Sequence, residues 1–261
     1  MRSLRKIRIA KPILWLIATI FWTAVWYLAA YRMGNELFLP YPHTVLRSFG
    51  KLTAEATFWS AVWQSMLTVI KGCFWGCLLG AIFAVLASWL QVFRAIVSPL
   101  ITVLRATPVA SFIILVYVIV RVNHFSIDTV AMLIVIIMVI PILYSNLFSG
   151  ISSLDQNLAE VAHIYSFSIR KKIFILWIPQ LKPFVVSGVI TSLGFAWKAG
   201  VAAEVICNLK NTIGKNLADS KSNLEMDRLF AWTLTVVLLS VLFECLFKKV
   251  FQETKAKVKN K

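Results

Sequence analysis

The chain has 261 residues, 59% of them hydrophobic, with a mean hydropathy of +0.80. Soluble domains run at about 45–50% apolar, so a water-soluble globule would leave much oily surface wet, and lipid is the expected solvent. The formal charge of +16, from 27 Lys and Arg against 11 Asp and Glu, would point to nucleic acid in a soluble chain, but no aromatic-basic recognition module accompanies it and the positive-inside rule explains it more simply.

The first 33 residues, MRSLRKIRIAKPILWLIATIFWTAVWYLAAYRM, carry a basic head and an apolar run. The run is too long for a signal peptide and lacks a small-residue cleavage pattern, so it reads as a retained first span at about 12–31. Trp22, Trp26, Tyr27 and Tyr31 suit an interface belt at its outer end. Pro40 and Pro42 follow, and then Leu46, Phe49 and Leu52 at helical spacing. They predict an amphipathic helix on the outer surface, with a plain extracellular loop as the alternative.

Five further apolar runs, at about 61–89, 93–120, 127–149, 183–206 and 229–247, are each near the roughly 20 residues a spanning helix needs. The second and third spans are long enough that neither is expected to be one uniform, straight helix. The fold class is therefore all-α and polytopic, with about six transmembrane helices in one domain covering 1–261, its core bundle at about 61–247. Sixteen of the 27 Lys and Arg fall on the side of both termini and eight on the other, while Lys71, Arg105 and Lys198 lie inside spans. That bias puts both termini in the cytoplasm and makes the span count even.

The same bias places the polar segment at about 150–182 in the cytoplasm. Ser153 and Gln156 make a weak capping box ahead of a short helix at about 154–165. Its apolar face is Leu158, Val161, Ala162 and Tyr165, with Glu160 and His163 pointing elsewhere. Ser166 to Ser168 should break it, and IRKKIFILWIP should begin a basic amphipathic helix, with Pro179 and Pro183 marking a bend into the next span. Charge alone makes this a connecting loop. The order of features suits a helix that docks in a groove on a soluble partner.

The segment resembles the cytoplasmic signature of ABC importer permeases. Glu160 and Ala162 match its E-A-A, Leu176, Ile178 and Pro179 match its apolar-x-apolar-Pro end, and Pro179 follows Glu160 by nineteen residues. Ser166 stands where the family usually has Gly. LPYPHTVL, LRATPVASFIIL, SSLDQNLAEVA and SLGFAWKAGVAAEVI resemble the nitrate/sulfonate/taurine-type branch, so the likeness covers about residues 36–247. The resemblance implies a type I importer permease fold in the bacterial inner membrane, with two copies, as a homodimer, forming the pathway. It implies two ATPase subunits that carry ATP and magnesium, and a separate extracytoplasmic binding protein. Asp155, Leu158, Ala159, Glu160, Val161, Ala162, Tyr165 and Ser166 would form the ATPase-coupling helix.

This chain has no Walker-type phosphate loop, so the reading expects no catalytic site and no cofactor on it. Cys73, Cys77, Cys207 and Cys245 show no metal-ligand spacing, so no metal is expected either. Charges at membrane depth are costly and usually face a partner or a watery cavity. Arg105, beside the Thr107-Pro108 interruption, and Lys198, in GFAWKAGVAAEVI, are the candidate pathway residues, together with Trp197 and Glu204. Two cations per chain suit an anionic or carboxylate-bearing solute. Gly194, Ala199, Gly200, Ala202 and Ala203 permit close helix approach at a dimer or pathway interface. An ion-gradient secondary transporter using Arg105, Lys198 and Glu204 is the alternative, weakened by the lack of an inverted repeat. An intramembrane enzyme has no paired Asp, His cluster or Ser/Lys dyad in its favour.

Overall fold

The computed structural model describes residues 11–259. Among them every regular element is a helix. The order is α1 (Lys11–Met33), α2 (Pro42–Thr53), α3 (Ala56–Trp89), α4 (Gln91–Ala106), α5 (Val109–Val122), α6 (Thr129–Ser152), α7 (Gln156–Ile164), α8 (Ile169–Lys171), α9 (Ile178–Cys207), α10 (Ile213–Ser222) and α11 (Met226–Lys259), with a π-helical stretch at Lys172–Trp177. Five of these segments are long and apolar enough to cross a membrane, and α4 with α5, bent by 109° at their break, brings the number to six where the pair is counted as one span.

The two long spans behave differently from each other. The run at 56–89 is one unbroken α-helix of 34 residues, contrary to the expectation of a non-uniform segment. The next run is broken, and the break falls at Thr107-Pro108. A residue before proline is pushed out of the α region. Thr107 accordingly has φ −80° and ψ 135°, and Pro108 continues extended at φ −58° and ψ 133°.

At the centre α3 packs on α6, and α6 on α9. Gly72, Gly76 and Gly80 recur every fourth residue along α3. A Cβ at Gly72 would lie 2.7 Å from Val135 Cβ, and one at Gly76 would lie 2.7 Å from Val139 Cβ, so the two backbones meet where side chains are missing. Such small-x-x-x-small faces are how helices associate in lipid, where burial of apolar surface gives little drive. Gly200 of α9 closes on Val69 and Val135 in the same way. The small residues of α9 are therefore spent mostly inside the bundle. Ala199 and Ala203 are buried, and of the expected interface set only Gly194 faces open space.

The amphipathic α2 exists, but its inner face is Pro42, Val45, Ser48 and Leu52. Leu46 points outward at 61% exposure, which corrects the expected Leu46–Phe49–Leu52 face. The helix lies against α11 and is pinned there by Ser48 Oγ donating to Asp227. Trp26 leaves the predicted belt to stack on Phe230 and donate Nε1–H to the Pro40 carbonyl at 3.1 Å, while Trp22, Tyr27 and Tyr31 stay exposed.

Candidate functional site: a coupling helix and a cationic cleft

The short cytoplasmic helix forms as α7, but its start is capped differently from the expected box. Ser153 closes α6 instead, its Oγ donating to the Gly150 carbonyl at 3.0 Å. Asp155 opens α7, accepting the Asn157 amide on Oδ1 at 2.9 Å. Its own backbone N–H donates to Gln180 Oε1 of α9 at 3.1 Å, which ties the entry of α7 to the span beyond it.

The exit of α7 is a left-handed turn at Ser166, φ 48°. The Phe167 amide donates to the Ala162 carbonyl at 2.9 Å, a six-to-one bond that satisfies one of the last helical carbonyls. Glycine is the usual residue for that conformation, and here serine adopts it. Of the expected apolar face, Ala162 is buried at 1% exposure against the π-helical stretch, whereas Leu158 and Tyr165 are exposed, as is Ile164. Glu160 is exposed too. The side chains of Ala159, Val161 and His163 lie outside the described residues.

Beyond the turn, the expected pair of helices with a proline bend is replaced by one helical run of 39 residues, Ile169–Cys207. Pro179 and Pro183 lack amide donors and crowd the carbonyl four residues back. Pro179 sits in the first turn of α9, where its missing donor is least costly, and the wider turns of Lys172–Trp177 precede it. α7 is thus joined, through one turn, to a helix that crosses the whole bundle.

Midway along that helix is a cleft of 260 Å³ lined by Arg105, Thr107, Val109, Met138, Pro141 and Phe195, with Leu104 and Ile142. It lies at the α4/α5 break, against α6 and α9. Arg105 is exposed, in the last turn of α4, where a cation is favoured by the helix dipole. Its Nη1 donates to Ser145 Oγ at 3.1 Å, and Ser145 in turn donates to the Pro141 carbonyl at 2.8 Å. Ser145 was not anticipated, because nothing in the sequence links it to a residue forty positions earlier. Thr107 shares the cleft, and Pro108 is the N-cap that turns the chain into α5. Lys198 is exposed one turn beyond Phe195, on the same face of α9.

Two of the expected pathway residues do not line this cleft. Trp197 is 1% exposed, with Nε1–H donated to the Val236 carbonyl at 3.0 Å and Phe243 edge-on at 5.2 Å, so it fastens α9 to α11. Glu204 has no exposed surface and is bonded to Ser65 and Gly214, away from Lys198. No cluster of three or more His, Cys, Asp or Glu side chains that could hold a metal occurs among the described residues.

Residues 76–255 match the family described as the binding-protein-dependent transport system inner membrane component. The chain belongs to this family. Relatives include a putative aliphatic sulfonates transport permease of Bacillus subtilis (strain 168), 26% identical over 198 residues, covering 74% of this chain and 68% of the relative. The taurine transport system permease of Escherichia coli (strain K12) is 24% identical over 247 residues, covering 92% and 86%. In fold the permease resembles a chain of an amino acid ABC transporter with histidines, at TM-score 0.64 and 16% identity over 80% of this chain and 97% of that one. It also resembles a chain of an inward-facing methionine ABC transporter, at TM-score 0.62 and 13% identity over 76% and 95%. The fold is that of a type I ABC importer permease, and the protein is a multi-pass inner-membrane transport component. Permeases of this kind work with ATPase subunits and substrate-binding proteins, and ATP is hydrolysed on the separate ATPase.

Proposed function

We propose that this permease imports a small anionic solute, and that two copies of it form the pathway over two ATPase subunits, each holding ATP and magnesium. The observation that carries the reading is the state of α7. A helix with a capped start and a closed end keeps Glu160, Leu158, Ile164 and Tyr165 exposed and rests, among the described residues, on the foot of the next span. An exposed amphipathic helix held at a fixed angle is suited to a groove on a partner. On this reading both termini are cytoplasmic, α7 faces the ATPase, and a binding protein delivers solute on the other side.

Coupling follows from the connection. Thirty-nine residues of continuous helix span about 58 Å at 1.5 Å per residue. A push on α7 is delivered through the Ser166 turn to the foot of this helix, and tilts it together with Phe195 and Lys198. Arg105 is held on α4 and reaches Ser145 on α6. Rocking α9 therefore opens or closes the cleft between Phe195 and Arg105, which is rigid-body alternating access. The solute assignment rests on Arg105 in the cleft and on the exposed Lys198 of α9, and it agrees with the sulfonate and taurine permeases among the relatives.

Reconstitution in vesicles with the ATPase and the binding protein tests this. Uptake of an organic sulfonate should require ATP and survive a proton uncoupler. Uptake that survives ATP depletion and collapses with the uncoupler would make the chain a gradient-driven transporter instead.

A further inference from the structure

Glu204 is unusual in two ways. Its carboxylate has no exposed surface, and it joins α9 both to α10, the next element, and to α3, 139 residues earlier. Oε2 accepts from Ser65 Oγ of α3 at 2.8 Å and from the backbone N–H of Gly214 at 3.1 Å. Ser65 Oγ also accepts the N–H of Ile213 at 3.0 Å, while Thr212 Oγ1 accepts that of Lys215 at 3.1 Å. The first amides of any helix lack intrahelical partners. In α10, those of Ile213 and Gly214 are satisfied by α3 and α9 rather than by a local cap.

The seat is built to fit. A Cβ at Gly214 would fall 2.3 Å from Glu204 Cβ and 2.5 Å from the Val205 nitrogen, so only glycine lets α10 come this close to α9. A negative charge at a helix N-terminus is also electrostatically favoured. Against this, Glu204 Oε1 is buried without a partner, and an unsatisfied buried polar atom is destabilising. An apolar residue of similar size would avoid that cost but would leave the Gly214 amide unmatched.

What Glu204 holds in place is the wall of a groove. Lys215, Asn216 and Asp219 of α10 face Thr57 and Ser60 of α3 across a cavity of 500 Å³, with Lys210 at its edge. Lys215 Nζ is 2.5 Å from Asp219 Oδ1. This groove lies at the end of the bundle opposite α7, the side on which the proposed function places the binding protein.

We infer that Glu204 is a positioning residue for solute delivery: with Ser65 it holds α10 to α3 and α9, so that the Lys210–Lys215–Asp219 groove is preformed for the loaded binding protein. The inference rests on the importer reading.

The test uses the complete transporter in vesicles, with uptake and ATPase rate measured against the concentration of loaded binding protein. Ser65→Ala and Glu204→Ala should each raise the half-saturating concentration about fivefold, as expected for loss of one helix cap. Maximal uptake and the ATPase rate without binding protein should stay near the unmodified values. Glu204→Gln, whose carbonyl oxygen can accept both hydrogen bonds, should restore the half-saturating concentration. The inference is overturned if both alanine variants lower only maximal uptake or yield, or if Glu204→Gln is as defective as Glu204→Ala. If the unmodified complex shows no ATP-dependent uptake, the importer reading fails first, and the variants then report on something else.

Discussion

The amide of Phe167 bonds the carbonyl of Ala162 across a left-handed Ser166. That single bond sets the angle at which the coupling helix leaves the membrane-spanning rod. A non-glycine residue pays about 1–2 kcal/mol for the left-handed conformation. Ser166→Gly should therefore keep transport and slow hydrogen exchange at the Phe167 amide. Ser166→Val, β-branched where φ is positive, should loosen the turn and weaken ATPase binding on the order of tenfold. Equal exchange rates in all three proteins would remove the turn from the coupling argument.

Glu160 is exposed on α7. Glu160→Lys should leave the melting temperature in detergent within a degree or two, the usual result for an exposed site, while transport is lost and ATP hydrolysis no longer responds to solute. Ala162→Asp differs, because Ala162 is buried. It should uncouple too, but with loss of helix α7 itself, read as faster proteolysis between α6 and α9.

The α3/α6 contact leaves no room for a side chain. Gly76→Ala would place a methyl 2.7 Å from Val139 Cβ, and overpacking of this kind costs about 1–3 kcal/mol. A lower melting temperature and a lower yield are expected. The same change at Gly194, where nothing lies within 4 Å of the added Cβ, should leave both unaltered.

Arg105→Gln removes the cation from the cleft but keeps a donor for Ser145. Uptake of an anionic sulfonate should fall roughly tenfold, the scale of one charge-assisted hydrogen bond, with the ATPase rate without solute unchanged. Lys198→Gln should act in the same direction. If both variants transport the sulfonate normally, these cations are structural.

Composition and period were enough to establish a helical membrane protein with about six spans, because lipid leaves a backbone few alternatives. The short helix α7 was legible for a similar reason. Glu160, Ala162 and Pro179 are close in sequence, and their spacing is set by local helix geometry. Thr107-Pro108 announced its break locally as well.

Tertiary structure decided everything that depended on which face of a helix points where. Trp197 and Lys198 are neighbours in sequence, yet one is buried and fastens α9 to α11 while the other is exposed. Successive residues of a helix point about 100° apart, and only the packing partners choose which of them is inside. The pairs Arg105–Ser145 and Glu204–Ser65 join helices far apart in the chain. The glycines at 72, 76 and 80 could be read from the sequence, but that their stripe receives α6 could not. The sequence by itself determined the solvent, the helices and the short polar helix α7 between two spans. The tertiary contacts decided that Arg105 lines the cleft and which carboxylate is locked away, because long-range packing alone sets helix rotation.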